Sequence, residues 1–166
     1  PSLQGEFDPP VQSRVIFGRD KVATLKHEVA QLGGRRVLVL SGKTVAESTS
    51  VVNQVAEALG DSCVGIYSGL SQRAPLASAV AAAAMAVEKG ADTLVGVGGS
   101  TVSDASRMIA VMIAEGINTE DRLRSLSEES DGLLRPDLVG KQLPYQVSIP
   151  TTLSGGAFNT GGGDVL

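Results

Sequence analysis

Four short apolar runs constrain this chain more than any other feature. They are Arg36-Val-Leu-Val-Leu40, Cys63-Val-Gly-Ile-Tyr67, Asp92-Thr-Leu-Val-Gly-Val97 and Tyr145-Gln-Val-Ser-Ile149. The unbroken run at 36–40 suits a strand buried on both faces, and the other three read as further strands. Between them the apolar residues recur at helical spacing. Val22, Leu25, Val29 and Leu32 share one face, with Asp20 as the expected cap and Gly33-Gly34 as the stop. Val52, Val55, Ala56 and Leu59 form a second stripe that ends at Gly60. Pro75 suits a first helical position, and Leu76, Val80, Ala83 and Val87 predict the next apolar face. Ala105, Met108, Ile109 and Met112 predict another. Strands alternating with amphipathic helices mean right-handed crossovers and a parallel sheet with helices on both faces, an α/β Rossmann-like fold.

Arg14-Val-Ile-Phe17 reads as a further short strand closed by Gly18, which could pair with another subunit in a homodimer. Ser68 and Gly69 read as a turn after the Cys63–Tyr67 strand, and residues 116–144 as a polar connection with a short helix around Glu120–Leu126. We expect residues 1–10 to be a flexible N-terminus and 11–166 to be one nucleotide-binding domain. The first residue is Pro and the last six are GGGDVL, so the expectation is a portion of something longer.

A net charge of −4 argues against a nucleic-acid surface, which needs a basic footprint. No apolar run reaches the roughly 18–20 residues of a membrane span, and the polar start PSLQGEFDPP resembles no signal peptide. A single cysteine, Cys63, excludes an internal disulfide and reads as strand packing. The expectation is a cytoplasmic protein whose partner is a small molecule.

In open α/β sheets, ligands bind beyond the carboxyl ends of the strands. Three such ends stand out. Ser41-Gly42-Lys43-Thr44 ends like a P-loop, but GxxxxGK[ST] needs a glycine where Val37 stands. The segment could still lie beside an adenosine ribose. Gly42 offers no carboxylate for a 2′-hydroxyl and Lys43 is near, so NADP as well as NAD is compatible. Gly96-Val-Gly-Gly-Ser-Thr101 lacks the third glycine of GxGxxG. Thr101-Val-Ser-Asp104 fits a capping box, with Thr101 as N-cap and Asp104 reaching back. The same glycines followed by a helix could hold a pyrophosphate on free N–H groups and the positive dipole end. Pro150-Thr-Thr-Leu-Ser-Gly-Gly156 adds hydroxyls at a neighbouring strand end. His27, between Lys26 and Glu28, reads as solvent-exposed, and no cluster has metal-ligand spacing.

These residues resemble the iron-containing alcohol dehydrogenases of the dehydroquinate synthase-like superfamily. Val15-Ile-Phe-Gly18 through Leu40 is especially similar to the maleylacetate reductase branch. Gly98-Gly-Ser-Thr-Val-Ser-Asp-Ala-Ser-Arg107 is similar to the family's GGGSxxDxxK motif, and Ile149-Pro-Thr-Thr-Leu-Ser-Gly-Gly156 to its IPTTxxTGSE motif. Ser100, Thr101 and Arg107 replace the motif's third Gly, Ser and Lys, and Phe158 or Ala157 stands where the second motif ends in Glu.

The resemblance implies the cofactor half of an NAD- or NADP-dependent oxidoreductase acting on a small polar alcohol or carbonyl. It implies cofactor contacts from Ser41, Gly42, Gly98, Gly99, Ser100, Thr101, Thr151, Thr152 and Ser154. It implies Asp104 as the catalytic residue, towards the cleft where substrate and nicotinamide meet. The family's Fe2+ or Zn2+ is held by a helical C-terminal domain absent from this chain. No metal ligand carries over, and this chain alone is expected to be inactive. The connection at 116–144 looks more like other alcohol dehydrogenase branches. Two alternatives stay open, a stand-alone nucleotide-binding module without catalysis and a glycerol dehydrogenase- or dehydroquinate synthase-like enzyme.

Overall fold

A computed structural model of the chain describes residues 5–7, 14–71, 75–117, 119–129 and 140–158. Two short strands, β1 (Gly5–Phe7) and β2 (Val15–Phe17), pair antiparallel, Glu6 opposite Ile16. The strand expected to seek another subunit therefore pairs within its own chain. Gly5–Phe7 lies inside the stretch expected to be flexible, and the rest of residues 1–13 is outside the described residues.

Next come α1 (Leu25–Leu32), β3 (Val37–Gly42), α2 (Lys43–Ser48), α3 (Val51–Leu59) and β4 (Cys63–Leu70). They are followed by α4 (Pro75–Glu88), β5 (Thr93–Gly98), α5 (Ser100–Glu115), α6 (Glu120–Glu129) and β6 (Tyr145–Pro150). The main sheet is parallel, in the order β4-β3-β5-β6.

The apolar runs explain this sheet directly. Val37, Val39, Val95 and Val97 face a core shared with Leu25 and Val29 of α1 and Val52, Val55 and Leu59 of α3. Leu38, Leu40 and Leu94 face the opposite core, with alanines of α4 and Val102, Ile109 and Met112 of α5. Burial of each such Leu, Ile or Val contributes about 1.5–3 kcal/mol before entropy is counted. Because β3 and β5 are covered on both sides, they carry no polar alternation.

Several local expectations change. Asp20 does not cap α1. It adopts a left-handed φ of 59°, a short 3-10 turn at Lys21–Thr24 follows, and α1 starts at Leu25. Gly33 ends α1 as expected, with φ 96°. Ser41-Gly42-Lys43-Thr44 is not a loop: β3 runs on through Gly42, and α2 begins at once at Lys43. Ser68 and Gly69 belong to β4, whose pairing with β3 extends to Leu70 opposite Gly42. Of the stripe expected on α4, Ala83 is buried and Leu76 and Val80 pack against the core, whereas Val87 is exposed; Ser78, Ala79, Ala82 and Ala86 complete the buried face. Close packing against α5 suits these small side chains. The expected short helix forms as α6 and runs to Glu129, and much of the polar connection after it lies outside the described residues.

At the amino ends of the strands one carboxylate ties the sheet together. Asp92 accepts the Arg35 N–H on both oxygens (3.0 Å each), the Arg36 N–H (3.0 Å) and the Thr93 hydroxyl (2.7 Å). Its own N–H donates to Arg36 O, and its carbonyl accepts from Tyr145 N–H. One residue thus fixes the starts of β3, β5 and β6. Partial burial pushes the Asp92 carboxyl up, but the donated hydrogen bonds outweigh it and hold the group below its ordinary 3.8. A depressed carboxylate stabilises the fold above its unfolded value, and that stabilisation is lost as pH falls through the folded value. Asp92→Asn is therefore expected to cost about 1–3 kcal/mol at pH 7. In urea unfolding, the gap between variant and parent should narrow as pH drops below about 4, where the parent loses the same charge.

Candidate active site

The chain leaves β3 towards β4 on one side, then returns across the sheet to β5 on the other. Between the carboxyl ends of β3 and β5 lies the point where strand order reverses, the place an open α/β sheet offers to a ligand. All three strand ends singled out in the sequence meet along this edge, since β3, β5 and β6 are adjacent. Ser41 pairs with Val97, and Gly98 with Pro150.

The glycines here serve close approach. A Cβ on Gly98 would collide with the Val102 side chain, and one on Gly96 would lie 2.7 Å from Ser106 Oγ. Real Cβ atoms are not found that near, so α5 can settle on β5 only because both positions are bare. A Cβ on Gly99 would come within 3.0 Å of Thr152 Oγ1, and one on Gly156 within 2.9 Å of Ser100 Cα. The turn after β6 therefore interlocks with the start of α5. Thr151 N–H donates to Gly98 O (3.0 Å), and Thr152 and Ser154 hydroxyls hydrogen-bond at 3.1 Å. Thr151, Thr152 and Ser154 are all exposed, and Ser100 and Thr101 are half-buried.

The expected capping box does not form. The helix starts two residues earlier, at Ser100, with Gly99 as an extended N-cap (φ −85°, ψ −164°). Gly99 O already accepts N–H bonds from Val102 (3.1 Å) and Ser103 (3.2 Å), so Thr101 lies inside the first turn. Asp104 points its charge forward instead, in an ion pair with Arg107 one turn on. Arg107 Nη1 donates to Gly156 O at 3.1 Å. This bridge, 49 residues apart in sequence, is the site feature that sequence reading missed; an Asp-x-x-Arg spacing announces the ion pair but not its target.

Ser41 and Gly42 are placed differently from each other. The Ser41 side chain is fully buried and donates its hydroxyl to Val97 O at 3.0 Å, stitching β3 to β5. Gly42 is the N-cap of α2 and partly accessible, and Lys43 beyond it forms a loose ion pair with Glu47. The amino ends of both α2 and α5 thus stand along the same edge. Each turns the positive end of its peptide dipoles there, α5 with the greater length.

His27 is exposed on α1, its Nε2 2.9 Å from the Gln31 side chain. Cys63 is half-buried at the start of β4. Among the described residues no three His, Cys, Asp or Glu side chains are grouped to hold a metal ion. Among them, too, no helix is long and apolar enough to cross a membrane.

Residues 12–162 match the family description "Iron-containing alcohol dehydrogenase". A maleylacetate reductase of Sphingobium indicum is 34% identical over 111 residues, covering 67% of this chain and 30% of its own length. The solved maleylacetate reductase of Agrobacterium tumefaciens superposes with a TM-score of 0.60 at 21% identity, over 93% of this chain and 35% of that one. Sulfoacetaldehyde reductase of Bifidobacterium kashiwanohense, solved in complex with NAD+, gives 0.61 at 16% identity, over 82% and 33%. At these identities the two solved structures speak for the fold alone. The chain spans about a third of the length of the relatives it matches.

The steric argument yields a pair of outcomes. Gly98→Ala must lift α5 from β5 and is expected to cost about 1–3 kcal/mol in denaturant unfolding. Ser100→Gly, at a helix start with room beside Gly156, should change stability by less than about 1 kcal/mol.

Proposed function

The chain belongs to the iron-containing alcohol dehydrogenase family, and from that premise we propose that it is the cofactor-binding part of an NAD(P)-dependent oxidoreductase. The observation that carries this reading is the interlock of two glycine-bearing turns at the carboxyl ends of β5 and β6, next to the strand-order reversal, Gly98–Thr101 against Thr151–Gly156. A dinucleotide pyrophosphate needs bare backbone, a helix amino end and hydroxyl donors in one place, and this edge has all three. Gly98 and Gly99 supply the bare backbone, α5 the dipole, and Thr101, Thr151, Thr152 and Ser154 the hydroxyls. Ser100 does not crowd the site in this reading, because its bulk is matched by Gly156 across the turn.

Gly42 and Lys43 are the residues for the adenosine end. Neither is a carboxylate, so nothing there repels a 2′-phosphate, and both NADH and NADPH are expected to bind. Ser41 contributes through the backbone it holds in place. Asp104, the residue implied for catalysis, has its charge matched by Arg107. Its expected part is therefore electrostatic and positional rather than proton transfer.

Bound here, a nicotinamide dinucleotide supplies or accepts a hydride. The maleylacetate reductase relatives support a small polar carbonyl or alcohol as the substrate of the whole enzyme. No described residue set fits the family's metal, so no step through a metal is assigned to this chain.

Titration with NADH and with NADPH, followed by dinucleotide fluorescence, tests the reading. Saturable binding of at least one is expected, with no turnover of alcohol or carbonyl substrates by the 166-residue chain alone. Binding of neither would instead favour a module without cofactor chemistry.

A further inference from the structure

The Arg107 side chain is only 19% exposed, although it lies on the third turn of a surface-facing helix. Its guanidinium joins α5 to the turn after β6. Nη2 pairs with Asp104 on its own helix, Nη1 donates to the carbonyl of Gly156, and Nε is buried without a hydrogen-bond partner. Gly156 is the residue packed on Ser100 Cα, the first residue of α5. The neighbouring Gly155 has φ 68°, a left-handed turn that presents the Gly156 region to the helix.

The segment from Thr151 to Ser154 is exposed, and at its start Thr151 N–H donates to Gly98 O. At its far end Gly156 packs on the start of α5, and Arg107 adds a directional, charge-assisted hydrogen bond to the Gly156 carbonyl. A guanidinium suits the task because its planar fork serves a carboxylate and a carbonyl at once, which an ammonium on a flexible stem does less well.

We propose that Arg107, oriented by Asp104, is a positioning residue for the pyrophosphate site. It holds the Thr151–Phe158 turn over the amino end of α5 so that the turn's hydroxyls and the helix's N–H groups act on the same anion. The inference rests on the cofactor reading above and deepens it. Arg107 touches no reacting group; it acts through Gly156.

The test measures Kd for NADH and for ADP, which keeps the pyrophosphate but lacks the nicotinamide, alongside backbone hydrogen exchange over residues 151–158. The proteins are the parent chain, Arg107→Met and Arg107→Lys. Loss of a charge-assisted contact predicts roughly tenfold weaker binding of both ligands to Arg107→Met, with faster exchange confined to the turn. Arg107→Lys, which keeps the charge and a donor, should fall between Arg107→Met and the parent. It also decides the matter if Arg107→Met fails to fold, because weakened binding with an unshifted melting temperature is a positional effect. Both variants binding NADH and ADP as the parent does would overturn the proposal while leaving the cofactor reading intact. A parent chain that binds neither ligand would overturn both.

Discussion

The open end of the sheet depends on how closely α5 lies on β5. Dispersion and burial favour contact, but contact at this distance requires that β5 carry no side chain at two alternate positions on one face. Gly96 and Gly98 meet that requirement, and Val102 and Ser106 fill the space they leave. The helix then starts directly at the strand's end, with one extended residue between them. A helix set further out would place its amino end beyond the sheet edge, away from the turn that follows β6. The steric permission granted by two glycines therefore sets the geometry of the proposed cofactor site.

The two ends of the sheet are built on different logic. At the amino ends, Asp92 spends its carboxylate on the backbone amides of Arg35 and Arg36 just before β3, so the strands are locked by charge-assisted bonds. At the carboxyl ends, steric fit between glycines and their neighbours joins a few hydrogen bonds, and the side chains of Thr151, Thr152 and Ser154 stay exposed. A rigid base with a polar, accessible rim is what a binding edge needs, since donors committed to the fold cannot also serve a ligand. Ser41 illustrates the boundary. It stands at a strand end, yet its hydroxyl is committed to Val97 O and has become part of the base.

How far the sequence discloses this follows from the range of each interaction. Strands β3 and β5 are legible because burial on both faces leaves an unbroken apolar run, and the helix stops at Gly33 and Gly60 because only a few residues suit those angles. Cap positions are less legible. Asp20 and Thr101 both have the right chemistry for a cap, and both lost the position to the backbone, through a 3-10 turn in one case and Gly99 in the other. The face of α4 was legible except at its end: Leu76, Val80 and Ala83 lie in or against the core, and only Val87 is exposed. Distance to the facing helix, which no single sequence records, brings Ala79, Ala82 and Ala86 into the buried face as well. The strand ends after β5 and β6 were expected to share one crevice, and the sheet order brings the end of β3 beside them. The bridge from Arg107 to Gly156 had no local signal at all, because its acceptor is a main-chain carbonyl that every residue has.

That last point bears on how a motif departure should be weighed. Ser100 stands where the family's glycine motif has its third Gly, and taken alone the exchange adds bulk beside a phosphate. In the fold, the atoms nearest Ser100 on the turn side belong to Gly156, which is bare at the point of contact and would collide with Ser100 if it carried a Cβ. Bulk at Ser100 thus meets a bare residue at Gly156, and side chains at both positions would clash. A loop motif of this type constrains a space shared by two segments rather than one residue in one of them. The two turns have to be read as a single steric unit, as do the charges of Asp104 and Arg107 that hold them together.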